Sequence, residues 1–272
     1  MKTSHVYKLT QKYIRKNLPI VIFIGIIFFV GLVVLFKLFT AQEETVYAKV
    51  KVSQGLWWAS TAKPSVWLAN SFEKGLIETD LTGKPIVEVM TVRSYPWWNS
   101  DQYDIYLTLK IQASKNERTN VFTFKRAPIA VGSPVDLEFP EVQVSGTVME
   151  LSENPFKENR INKTIRLQKK YADQWEADAI EIGDTYYNGV ETVAEILDKK
   201  VVPSSEVYVR VGNVYPFSTE DTYQVTVTAR LMVQDDNDHL IYREEQPVQL
   251  GRTLNFQTSQ LVYQDYIVTA ID

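Results

Sequence analysis

The chain has 272 residues, room for one large domain or two of ordinary size, and its 45% hydrophobic, 12% aromatic and 23% charged make-up excludes wholesale disorder and collagen-like repetition. It holds no cysteine, which removes disulfides, zinc–thiolate centres, iron–sulfur clusters and thiol nucleophiles together. Only His5 and His239 supply imidazole, so most catalytic constellations lack their usual material.

The N-terminus is a basic tail, residues 1–18, with Lys2, Lys8, Lys12, Arg15 and Lys16 and no acid. An apolar run follows over residues 19–39, interrupted only by Lys37, whose ammonium can snorkel from the end of a helix. A bilayer core needs about 20 helical residues, so the run predicts one transmembrane helix. All 33 acids lie beyond it, and the part after Lys37 carries a net charge of −10. By the positive-inside rule the tail stays in the cytoplasm and the acidic bulk is exported. The run is longer than a secretory h-region, and bulky Phe39 lies two positions before Ala41, the best small-residue cleavage point. The reading is an uncleaved signal anchor.

Beyond the anchor the sequence repeats itself. Tyr95-Pro96 with Tyr103 matches Tyr215-Pro216 with Tyr223 at an offset of 120, and the alternation continues through Ile105, Leu107, Leu109 and Ile111 against Val225, Val227, Ala229 and Leu231. Period two predicts a strand with one buried face, its alternate residues (Asp104, Tyr106, Thr108 and Gln224, Thr226, Thr228) turned to solvent or a partner. A polar turn and a second alternating segment then predict a hairpin in each copy, followed by Val131-Gly132 or Leu250-Gly251 and a last strand with Val142, Val144 and Val148 or Leu261, Tyr263 and Ile267 inward. Upstream, Trp67-Leu68-Ala69 with Phe72 and Gly75 matches Trp175-Glu176-Ala177 with Ile180 and Gly183 at an offset of 108, on a short helix or tight turn. The change of offset predicts extra residues in the second copy around positions 200–213, with a loop at Pro203 and a strand at Val207, Val209 and Val211. The fold class expected is mainly β: the transmembrane helix, then two tandem, repeat-related sandwiches or partly open barrels over residues 44–151 and 163–272, joined by a linker at 152–162.

The second copy, with Ala177-Asp178-Ala179-Ile180-Glu181-Ile182-Gly183-Asp184-Thr185, Val193-Ala194-Glu195-Ile196 and Val248-Gln249-Leu250-Gly251, resembles a bacterial single-pass membrane-anchored family catalogued as a domain of unknown function. Such proteins have a basic N-tail, one transmembrane helix and a β-rich extracytoplasmic domain with an Ile-x-x-Gly-Asp turn. In the first copy Leu76, not aspartate, follows Gly75. The resemblance implies architecture and location, and brings no activity or catalytic residue. The same turn is similar to segments of periplasmic adaptor proteins, but no stretch here has the heptad length of their helical hairpin.

Candidate sites are few. Asp235, Asp236 and Asp238 beside His239 suggest metal chemistry, but the run lacks the spacing and central glycine of a calcium loop, so a solvated hairpin turn and no metal are expected. Glu43 with Glu44, and Glu244 with Glu245, are adjacent carboxylates read as solubilising charge rather than a glycosidase pair. No phosphate-binding glycine run or nucleophile elbow is present, and the acidic exterior speaks against nucleic acid. Trp57, Trp58, Trp97 and Trp98 are the candidate binding residues: neighbours on a strand face opposite ways, so one of each pair is expected in the core and the other outside, to stack on sugar, sit among headgroups or anchor a protein. The function expected is a non-enzymatic, cofactor-free envelope protein, anchored in the bilayer with its domains outside the cytoplasm and partnered by envelope proteins or by itself. A surface or cell-wall polysaccharide module, or an adaptor-like subunit of a transport complex, is the alternative.

Overall fold

A computed structural model describes residues 18–39, 43–53, 63–97, 101–204, 222–236 and 239–272. The first element is a 22-residue helix, α1 (Leu18–Phe39), about 33 Å long at the usual rise. Its described large side chains, Ile20 and those from Ile22 to Val33, are all exposed, Phe28 to 70%. Among the described residues no helix is long and apolar enough to cross a membrane. The described side chains of α1 make a stretch shorter than the roughly 20 residues a crossing takes.

Two curled half-barrel sheets follow. The first is built from β1 (Glu43–Ser53), α2 (Val66–Asn70), β2 (Ile77–Thr79), β3 (Pro85–Trp97), β4 (Gln102–Asn116), β5 (Val121–Phe124), β6 (Ala127–Ile129), β7 (Pro134–Glu138) and β8 (Gln143–Ser152). The second is built from β9 (Arg160–Asp173), α3 (Gln174–Ala179), β10 (Thr185–Tyr187), β11 (Thr192–Pro203), β12 (Thr222–Asp236), β13 (His239–Tyr242), β14 (Gln246–Pro247), β15 (Thr253–Gln257) and β16 (Val262–Ile271). The strand orders are β2-β3-β4-β1-β8-β7 and β10-β11-β12-β9-β16-β15, with the β5–β6 hairpin on β4 and the β13–β14 hairpin on β12. Every element of one sheet has its counterpart in the other. Irregularities repeat too: register shifts at Val89/Thr91 and Glu78/Thr79 recur at Ile196/Asp198 and Tyr186/Tyr187. The connection between the sheets is residues 153–159, so Ile161 and Asn162 already belong to β9.

Alternation explains the cores. Val46, Ala48, Val50 and Val52 of β1 face the same interior as Ile105, Leu107, Leu109 and Ile111 of β4, all almost fully buried, and Val225, Val227, Ala229 and Leu231 do the same on β12. Each such aliphatic chain contributes about 1.5–3 kcal/mol by leaving water. The segments carrying Trp67 and Trp175 are short helices. Ser65 caps the first by accepting from Leu68 N, and the downstream Phe72 and Ile180 are buried. Gly75 and Gly183 then hold φ of 89° and 93°, a conformation that glycine takes without strain.

Two expected alignments shift. Pro96 pairs with Tyr103 and Pro203 with Tyr223, so Pro203, not Pro216, is the structural counterpart of Pro96. The second copy's extra residues follow Pro203, and Tyr215-Pro216 and the strand expected at Val207, Val209 and Val211 lie outside the described residues. In β16, Ile267 is 37% exposed while Tyr266 and Val268 are buried. Asp265, at φ 60°, adds a residue to the strand and swaps the faces beyond it.

Candidate functional site at the seam between the sheets

Register fixes which end of the first sheet carries its chemistry. Glu43, four residues after α1, pairs with Ser114, whereas Lys51 pairs with Tyr106 and Trp97 with Gln102. The Tyr95–Trp97 end is therefore the one away from the helix. That far end meets the second sheet. Tyr95 and Tyr106, 1% and 7% exposed, pack in the second sheet's hydrophobic core, with Met149 against it.

The second sheet brings two turns to this end. In the β10–β11 turn, Asn188 Oδ1 accepts from Val190 N and Glu191 N, freeing its amide to donate to Tyr95 Oη at 3.0 Å. Its backbone oxygen accepts from Ser94 N at 2.9 Å, and Tyr186 Oη donates to Ser94 O. A Cβ on Gly189 would lie 2.9 Å from Val92 O, so a glycine is needed where the backbones meet. In the β13–β14 turn, Arg243 and Glu244 hold φ of 52° and 65°. Arg243 donates to Pro96 O at 2.8 Å and lies over the Tyr95 ring.

Around these turns runs a buried ion-pair network. Glu158 accepts both Arg93 Nη atoms at 2.8 and 3.3 Å, and Arg160 Nε at 2.7 Å, with Lys49 Nζ at 3.1 Å. Arg160 also donates to Glu244 at 2.6 Å and lies 3.4 Å from Glu191. Burial alone would raise the Glu158 pKa, but the Arg160 hydrogen bond and the charges of Arg93, Arg160 and Lys49 outweigh it and bring it to about 2. Burial would likewise lower Arg160, yet Glu244 and Glu158 hold it above its ordinary value. Burial, and then the Glu244 charge, push the Tyr95 phenol up.

Beside the network a cavity of about 240 Å³ opens, with Trp97, Asp104 and Tyr106 on one wall and Arg243, Glu245 and Gln264 on the other. This is below the roughly 300–1,000 Å³ of usual small-ligand pockets. Lys51 Nζ lies 2.6 Å from Glu245 and 3.6 Å from Asp104, so one ammonium claims both carboxylates. Lys63 donates to Asp104 at 2.7 Å and sits 3.2 Å from the Trp97 ring centroid. Burial lowers the Lys63 pKa, opposed by its bond to Asp104. One face of the Trp97 indole is thus covered by a cation.

Of the four candidate tryptophans, only Trp97 is described; it is 37% exposed, and Trp57, Trp58 and Trp98 lie outside the described residues. The most exposed described indoles are instead the repeat-related Trp67 and Trp175, at 79% and 56%. Glu244 and Glu245, read from sequence as solvated charge, are seam residues, whereas Glu43 and Glu44 meet Lys84 and Lys115 outside it. Arg93, Glu158, Arg160 and Asn188 carry no local motif; the signal that singles out the seam turns is their difference from the first copy's turns. His239 is exposed on β13, Asp238 lies outside the described residues, and among those described no group of three histidine, aspartate or glutamate residues is arranged to hold a metal ion. No family model, curated protein or solved structure matches the chain.

Proposed function

We propose that this chain is a non-enzymatic, membrane-anchored envelope protein whose two β units are locked into one arm that carries the second unit outward to meet other envelope proteins or a second copy. The carrying observation is the seam: two turns of the second sheet seated on the far end of the first, with Glu158 bound by three cations and Tyr95 shared between the cores. Flexibly tethered binding modules have no use for such a joint, while a spacer that sets height and orientation does. The apolar run of α1, the basic tail and the acidic remainder support an N-in, C-out anchor. The repeated, exposed Trp67 and Trp175 suit protein partners, since tryptophan is enriched at interface hot spots.

The hydrolase reading is disfavoured because Lys51 already occupies the carboxylate pair. The polysaccharide reading is disfavoured because Lys63 already covers one face of Trp97 and the cavity is small.

The absence of cysteine gives a background-free test. A single cysteine placed at Leu250 should react with a membrane-impermeant maleimide on cells or spheroplasts, and one at Ser4 should react only after permeabilisation. A photo-crosslinking residue at Trp67 or Trp175 in the same cells should give discrete protein adducts. Reversed labelling overturns the anchor, and intact labelling with no adduct at either position overturns the partner-binding role.

A further inference from the structure

The two units use the same end of the sheet for different tasks. In the second unit the docking end comprises the start of β9 at Arg160, the β10–β11 turn and the β13–β14 turn. Registers place Glu43 opposite Ser114 and Arg160 opposite Gln234, so the equivalent end of the first unit is the one that α1 enters. Glu43 is only four residues past Phe39, a reach of at most about 14 Å. We infer that this end of the first unit rests on the membrane surface, with Leu81 in the headgroup region and Arg126 against anionic lipid; the inference rests on the anchor reading above.

Two differences between the copies carry it. Where the second unit has Gly189, pressed against a backbone carbonyl, the first has Leu81 at the tip of the β2–β3 turn, 107% exposed. The first turn is one residue longer but opens the same way: Asp80 Oδ1 accepts from the backbone N–H of Thr82 and Lys84, as Asn188 Oδ1 does from Val190 and Glu191. A leucine in the Gly189 place could not approach another copy's backbone as the second unit approaches the first, which argues against stacking of a further unit and for a surface that yields.

The second difference is charge. At the β5–β6 turn, Lys125 and Arg126 hold the same positive φ, 46° and 68°, as Arg243 and Glu244, but the sequence is Lys125-Arg126-Ala127 in place of Arg243-Glu244-Glu245. Net charge at the turn thus passes from −1 to +2. Glu43 is engaged by Lys84, Glu44 by Lys115, Glu78 by Lys125 and Asp80 within its own turn, which leaves Arg126, among the described residues, as the turn cation without an ion pair. An exposed leucine and an arginine without an ion pair on one end of the sheet are the chemistry of an interfacial membrane contact.

The test uses the full chain in nanodiscs of phosphatidylcholine with phosphatidylglycerol, or of phosphatidylcholine alone, with a polarity-sensitive dye on Leu81→Cys, the sole thiol. The expected result is blue-shifted emission, quenched by headgroup-nitroxide lipid, in the anionic discs; it is reduced in neutral discs and lost when Arg126→Glu is added. Dye on Leu250→Cys should stay water-like. Water-like, unquenched emission from Leu81→Cys in discs that retain the chain overturns the inference and leaves the anchor standing. A chain not retained in either disc overturns both. A blue shift without lipid quenching that grows with copies per disc assigns the face to a second copy and also overturns it.

Discussion

At one position in the closing strand of each sheet the two units solve the same packing problem differently. In the first, Gly146 pairs with Val52 of β1, and a Cβ there would sit 2.3 Å from Val50 Cγ1 and 2.9 Å from Lys51 O. In the second, the equivalent residue is Tyr266, paired with Leu254 as Gly146 is with Val135, and the preceding Asp265 takes the left-handed region, with its N–H donated to Asn255 Oδ1 at 3.0 Å. The first leaves no room for a side chain at this position; the second adds a residue just before it and admits a large one. Duplication preserved the strand order while leaving the local backbone free to diverge.

The largest effect therefore comes from filling the first solution. Gly146→Val should destabilise the first β unit by about 3 kcal/mol or more, because the clash is with a core methyl and a backbone oxygen rather than a movable side-chain end. Urea unfolding checks this, and a loss under about 1 kcal/mol would mean that β1 and β8 are not so closely apposed.

Next is the seam, which has no equivalent within the first unit. Glu158→Ala leaves Arg93, Arg160 and Lys49 without their shared acceptor, and should cost about 2–3 kcal/mol and loosen the second unit from the first, read by urea unfolding and by spin-label distances between the units. Its pH dependence follows from the depressed pKa. The contribution is complete above the ordinary glutamate value of 4.5 and is lost as pH falls toward about 2. After allowance for partial solvent screening this is about 2 kcal/mol. Glu158→Gln should flatten the stability profile across that window, and an unchanged acid limb would remove Glu158 as its source.

Much of the fold was legible because alternation and turn glycines are local signals. The buried faces of β4 and β12, the hairpins after them, and Gly75, Gly132, Gly183 and Gly251 at positive φ all follow from spacing. The seam was not. Asp104 and Tyr106 were placed on the face turned to solvent or a partner, and the partner is the second unit, but nothing within either residue's neighbourhood names Glu158, Asn188 or Arg243. Ion pairs between residues 65 or 84 positions apart, such as Arg93–Glu158 and Arg160–Glu244, have no periodic signature. Glu244-Glu245 looks like any polar turn until compared with Lys125-Arg126. The candidate tryptophans missed Trp67 and Trp175 for a related reason: doubled indoles attract notice, whereas an exposed indole repeated once per unit is visible only through the alignment.

The smallest effect tests whether the Asp265 bulge is strained or merely different. Asp265→Gly removes the Cβ penalty of a left-handed residue while keeping the backbone N–H that Asn255 accepts, so it should stabilise by about 0.5–1 kcal/mol less whatever the freer unfolded chain takes back. A rise in melting temperature with Tyr266 and Val268 still protected in hydrogen exchange would show that the bulge is fixed by the aromatic cluster of Phe256, Tyr263 and Tyr266, which needs the swapped face, and not by the aspartate. If the strand instead reverts to the first unit's register, Ile267 becomes protected in place of Val268, and the aspartate itself is what set the two units apart.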